Sequence, residues 1–192
     1  MSSKGGPRAK GTDGGDFGHR EKVASHYQIS SSNKRKLKIA IGFHFLCLIF
    51  ILLKSAPKIL QFFEISLKQY VNVSLPAPAL WELVWLSSAV FIPFALYATR
   101  KNYPTIMQIY AIGTFVTGIS PLVFGIIYHS SDFKMFVVSD TGSVKVEKFY
   151  GVPIVLITSV FITVTFLIHS LSIMTAMNLV KAWTPKSGKK KS

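Results

Sequence analysis

Along most of this chain the apolar residues do not recur at helical intervals on a polar background; they run on without interruption. Four such runs stand out: Leu37 to Leu53, Ala79 to Ala98, Pro104 to Tyr128 and Val152 to about Val180. A helix rising 1.5 Å per residue needs roughly 20 residues to cross ~30 Å of hydrocarbon, so the first run is short and the last is long. The helices of a soluble domain keep a polar face, whereas these runs are apolar on all sides with charge nearly confined to their ends. The pattern predicts an all-α integral membrane protein with four transmembrane helices, spans of about 37–53, 79–98, 104–128 and 152–180 in a membrane domain of residues 37–180.

The segments outside the runs have a different texture. Residues 1–36 are polar and basic; the first 15 carry five glycines and a proline and bury too little apolar surface to offset backbone entropy. Asp16 is placed to cap a short helix over 17–28, with Phe17, Val23 and Tyr27 as its apolar positions. After the first run, residues 57–71 set Ile59, Leu60, Phe63, Leu67, Tyr70 and Val71 against Lys58, Gln61, Glu64 and Lys68. This reads as an amphipathic helix opened by Pro57, lying either in the membrane interface or as a lid on the bundle. Residues 181–192 form a basic tail.

Charge orients the spans. The net charge is +14 although only 16% of residues are charged, so the cations gather in the short flanking segments. Nine Lys and Arg precede or edge the first span, two (Arg100, Lys101) join spans two and three, and five follow span four; the two longer loops hold six. Basic residues flanking spans stay on the cytoplasmic side, which predicts cytosolic N- and C-termini. Lys34, Arg35, Lys36 and Lys38 abut the first span, where each gains ~1 kcal/mol beside an anionic leaflet. Beside a span such a cluster serves topology and lipid contact, and a nucleic-acid role is set aside. The leading residues show no signal-peptide pattern, and Ser2 stands where N-myristoylation requires glycine, so insertion is expected to start from the first span. The sequon Asn72-Val73-Ser74 falls in a predicted lumenal loop close to the second span, a candidate glycosylation site.

Few side chains within the runs carry chemistry. Trp81 and Trp85 read as indoles anchored at headgroup depth, matched by Tyr97 and Tyr103 at the other interface. Glu82, at the lumenal end of span two, is satisfied by hydration or by a lysine partner. His44 and His169 both fall in the cytosolic halves of their spans, within reach of each other or of a serine. Two histidines without a carboxylate do not make a metal site, and interhelical hydrogen bonding is their expected use. Pro93 and Pro121 predict bends, and Thr114 and Gly118 offer a face where another helix approaches closely. The single Cys47 excludes a disulfide within the chain and a cysteine metal site.

The two ends carry the recognisable signals. Lys189-Lys190-Lys191-Ser192 sets lysines three and four positions from the carboxylate, the layout of a dilysine retrieval signal read by a vesicle coat. At the other end, GPRAKGTDGGDFGHREKVASHYQ, Gly6 to Gln28, resembles the opening of the Jagunal family, and the four-span layout resembles that family over the whole chain. The resemblance implies a multi-pass protein of the endoplasmic reticulum membrane that organises the reticulum and supports vesicle-mediated transport early in secretion. It brings no catalytic residue, cofactor or metal. The positions it points to are Lys189 and Lys190 for the coat. It also points to Asp13, Asp16, Phe17, His19, Arg20, Glu21, His26 and Tyr27 as a contact for secretory cargo or trafficking proteins. The alternative is a small polytopic lipid-modifying enzyme or transporter using Glu82, His44 and His169.

Overall fold

The computed structural model describes residues 15–64, 76–138 and 147–184. Four of its helical stretches are long and apolar enough to cross a membrane. Helix α1 spans Gly15–Phe62, 48 residues or ~72 Å, more than twice a ~30 Å hydrocarbon core. The short helix expected over 17–28 is therefore not separate from the first span; it is the start of the same rod, carried without a break through the basic run at 34–38. Nothing from Gly18 to Lys36 breaks the helix, since no proline stands there. Pro57 opens no new helix either: it sits inside α1, which continues to Phe62 before a turn at Phe63 and Glu64. Phe62 and Phe63 are exposed, and residues 65–71 of the expected amphipathic helix lie outside the described residues.

The second and third stretches each change helix type part-way. Leu80–Lys101 is α2 (Leu80–Leu86), a 3-10 segment Ser87–Phe91 and α3 (Ile92–Lys101), with Pro93 in the first turn of α3. Pro104–Tyr128 is α4 (Pro104–Thr114), a π-helical turn Phe115–Ile119 and α5 (Ser120–Tyr128), with Pro121 in the first turn of α5. A proline lacks the N–H of the α pattern and clashes with the carbonyl one turn back, and the wider or tighter turn just before it absorbs that mismatch. Both expected bends thus take the form of a local change of pitch. Asn102 in the left-handed region (φ 56°) ends α3 and Pro104 opens α4, which makes the connection very short.

Helix α6 (Ser130–Val138) follows α5 and has no buried residue; Phe133, Val137 and Val138 are exposed. The sequence reading did not separate it. Strands β1 (Lys148–Phe149) and β2 (Val152–Pro153) form a two-residue hairpin whose turn, Tyr150 (φ 48°) and Gly151 (φ 83°), is left-handed at both positions. Helix α7 (Ile154–Trp183) then runs back the length of the bundle.

The core lies along one seam. On α1 the seam positions are Leu37, Ile41, His44, Leu48, Ile51 and Ser55, with Ala40 buried beside them; on α7 they include Val155, Thr158, Ile162, Thr165, His169, Ser172, Ala176 and Leu179. Both sets advance by alternate steps of three and four, the 3.5-residue repeat that keeps a seam facing its partner. Helix α1 packs chiefly on α7, α7 on α4, α3 on α4 and α2 on α5. The inward face of α7 is rich in Thr and Ser, while Leu167, Leu171 and Met174 point outward. Small and polar residues inside with large apolar ones outside is the arrangement expected when the surrounding solvent is lipid.

Candidate functional site

The bundle has two distinct ends. Trp183 at the close of α7 donates its indole N–H to Ser30 Oγ on α1 at 2.9 Å, and the Lys34 ammonium lies 5.6 Å from that indole ring. This end also gathers Arg35, Lys36 and Lys38, all exposed, and Lys34, half-buried. The α1 segment beyond the clamp presents Arg20, Glu21, His26 and Tyr27 to solvent. Asp16, Phe17 and His19 occupy the first turns of the same helix. Of the residues proposed for partner contact, those between 16 and 27 therefore share one helical arm fixed to the first span. Asp13, Asn72, Lys189 and Lys190 lie outside the described residues.

At mid-bundle a polar layer forms. His44 Nε2 lies 2.9 Å from Ser88 Oγ, and Trp85 Nε1 donates to His169 Nε2, also at 2.9 Å. The two imidazoles meet edge to face, centroids 4.6 Å apart, with Trp85 against both. The expected histidine–histidine and histidine–serine contacts are both present. Trp85 corrects the sequence reading: its indole does not face outward as an anchor but is fully buried in the bundle, and Trp81 is only 6% exposed. Nothing in the spacing of two tryptophans distinguishes a rim from a core position; the partner helix decides it. Because the Trp85 N–H can only donate, His169 Nε2 must accept, which places any ring proton on Nδ1. That Nδ1 is buried and has no hydrogen-bond partner among the described residues.

Toward the other end sits an ion pair. Lys54 Nζ donates to Glu82 Oε1 at 2.6 Å and to Oε2 at 2.8 Å, and the Ala79 N–H donates to Oε2 at 3.0 Å. Glu82 is the third residue of α2, so its carboxylate reaches back to the helix start and also faces the positive end of the helix dipole. The Glu82 side chain is 3% exposed, and each carboxylate oxygen accepts from at least one of these donors. The lysine partner anticipated for Glu82 is thus Lys54. Glu82 and the histidines do not converge on one centre: each is taken up by its own neighbour. Among the described residues no three His, Cys, Asp or Glu side chains gather as a metal set.

Beside this geometry stand the relatives. A model of the family described as "Jagunal, ER re-organisation during oogenesis" matches residues 1–187. The chain belongs to the Jagunal family. It is 35% identical over 196 aligned positions to Protein jagunal of Drosophila melanogaster, covering 100% of this chain and 99% of that protein. It is 34% identical to the Protein jagunal homolog of Caenorhabditis elegans, covering 96% and 98%. Protein jagunal homolog 1 of Homo sapiens is 32% identical over 125 positions, 65% of this chain. The Jagunal description concerns reorganisation of the endoplasmic reticulum, and it names no reaction.

Proposed function

We propose that this Jagunal-family chain is a non-enzymatic, multi-pass protein of the endoplasmic reticulum membrane. It organises the reticulum and supports vesicle-mediated transport early in the secretory pathway. Both termini face the cytosol, where the charge bias puts them. The N-terminal segment, through Asp13 and through Asp16, Phe17, His19, Arg20, Glu21, His26 and Tyr27 of the α1 arm, contacts trafficking proteins or cargo. Lys34, Arg35, Lys36 and Lys38 hold the anionic leaflet at the root of that arm. The tail, through Lys189 and Lys190, binds a vesicle coat that returns escaped molecules.

The observation that carries this reading is the family match from residue 1 to 187, taken with the unbroken course of α1. A continuous helix from Gly15 to Phe62 joins the cytosolic arm to the first span with no hinge, so a load on the arm is transmitted to the membrane domain. The enzyme or transporter alternative draws on Glu82, His44 and His169. Each of these is already engaged, by Lys54, Ser88 and Trp85 respectively, which favours a packing role.

Cells depleted of the protein and supplied with variants test the reading. Wild-type chain restores reticulum form and secretion. Glu21→Lys with His26→Ala and Tyr27→Ala restores membrane insertion but not secretion. Full rescue by that triple variant removes the arm from the account.

A further inference from the structure

Three neighbouring hollows that share lining residues lie between mid-bundle and the end away from the basic clamp. A groove of about 600 Å³ runs between α1 and α7, lined by side chains such as Phe43, Leu46, Phe50, Leu156, Val160 and Val164, and it is almost wholly apolar. Through Phe50, Ile157 and Phe161 it joins a cavity of about 180 Å³ whose far wall holds Lys54 and Glu82. Through Lys54, Pro76, Ile154 and Thr158 that cavity joins a vestibule of about 590 Å³ lined by His129, Asp132 and Glu147. An apolar groove thus lies beside a narrow neck at one ammonium group and a polar mouth; the groove and the mouth each have the volume of a ligand site, roughly 300–1,000 Å³.

The charge of this mouth is unlike that of the rest of the chain. Eight acidic residues stand against 22 basic ones, yet three of the eight, Glu82, Asp132 and Glu147, line the cavity and vestibule. Lys54 neutralises Glu82. Asp132 is 3.4 Å from His129, and Glu147 is exposed just before β1. Among the described residues, the lining of the vestibule is therefore net acidic. Lys54 spends two of its three ammonium protons on Glu82, which leaves one for an oxyanion at the neck of the slot.

We propose that this slot holds one phospholipid with an amine headgroup, of the phosphatidylethanolamine type. One acyl chain lies between α1 and α7 against Phe50, Ile157 and Phe161. The phosphate takes the third proton of Lys54, and the ammonium faces Asp132 and Glu147. An anionic lipid matches the phosphate position but places its extra negative charge against two carboxylates, so the mouth selects against it. The inference rests on the reading that these helices sit in a bilayer.

The test is native mass spectrometry of the full chain after passage through nanodiscs of equal phosphatidylethanolamine, phosphatidylcholine and phosphatidylserine. Incorporation into the discs is read first by size exclusion, so failure to insert is distinguished from failure to bind. The wild type retains one phosphatidylethanolamine per chain, enriched about tenfold over the other two classes. Ile157→Trp, which fills the neck, removes that adduct, while Ile112→Trp on an exposed face of α4 leaves it. Asp132→Lys with Glu147→Lys, both exposed and remote from the core, moves the preference to phosphatidylserine. Circular dichroism confirms that each variant keeps its helix content. Equal retention of all three lipids by the wild type, or an unchanged adduct in Ile157→Trp, means lipid merely surrounds the bundle and overturns the site. Unchanged selectivity in the double lysine variant overturns the headgroup assignment.

Discussion

The indole N–H of Trp85 and Nε2 of His169, 84 positions apart in sequence, meet at 2.9 Å in the interior of the bundle. The bond ties the second helical stretch to α7 at a level where His44 already ties α1 to the second stretch through Ser88. Three helices are thereby held by two hydrogen bonds and one imidazole contact. In lipid such bonds are worth ~0.6 kcal/mol on average and up to ~1.7.

Trp85→Phe keeps an aromatic ring in the core but leaves His169 Nε2 without its donor. Unfolding in mixed micelles, followed by circular dichroism, should show a loss of about 1 kcal/mol. Ser88→Ala should cost a similar amount through His44. Stability unchanged in both would mean that the histidine layer is held by ring packing alone.

Breaking the ion pair from one side should cost more. Lys54→Met leaves the Glu82 carboxylate buried with only the Ala79 N–H, a loss of roughly 3 kcal/mol by the usual scale for a stranded buried charge. Adding Glu82→Leu should recover most of it. A double-mutant cycle reads both steps, and no recovery in the double variant would show that Glu82 contributes something besides its partner.

Three glycines of the third stretch are covered by rings. A Cβ at Gly113 would strike the Phe91 ring, one at Gly118 would lie 3.0 Å from His169 Nε2, and one at Gly125 2.9 Å from the Trp81 ring. Alanine at Gly118 or Gly125 should destabilise by ~1–3 kcal/mol, the ordinary cost of overpacking. Gly42→Ala, where nothing lies within 4 Å, is the control. Gly118→Ala should also weaken the Trp85–His169 bond, visible as a change in indole fluorescence.

The clamp between Trp183 and Ser30 fixes the root of the α1 arm to the end of α7. Trp183→Ala should speed amide hydrogen exchange over residues 20–35 and leave the spans unaffected. An unchanged exchange profile would mean that the arm holds its helix without support from α7.

The four long apolar helices and the irregular turns before Pro93 and Pro121 were legible from runs of apolar residues and from proline. Hydropathy gave the number of helices long and apolar enough to cross a membrane, because length and polarity are what a bilayer requires. The same property hid the inward faces, since in a bilayer the core face is the less apolar one. The buried Thr158, Thr165 and Ser172, seven residues apart, carried that signal, and a search for apolar stripes passes over them. Burial of Trp85 was not legible, because an indole near a span end suits a rim or a core equally and only its meeting with His169 decides. The continuity of α1 was missed for a related reason: Asp16 and Pro57 are good helix starts, but a start signal inside an intact hydrogen-bond ladder goes unused. The pairing of Lys54 with Glu82 joins two residues whose spans were each read separately, and only the fold brings them together.

As proposed above, this Jagunal-family chain resides in the endoplasmic reticulum and is returned there by its tail. The most direct measurement is the location, at near-native expression, of an internally tagged chain with its C-terminal carboxylate free, compared with Lys189→Ser and Lys190→Ser together. The expected result is reticular residence for the wild type and escape of the variant to the Golgi or cell surface. Reticular residence of both would contradict retrieval by the tail and assign retention to the spans.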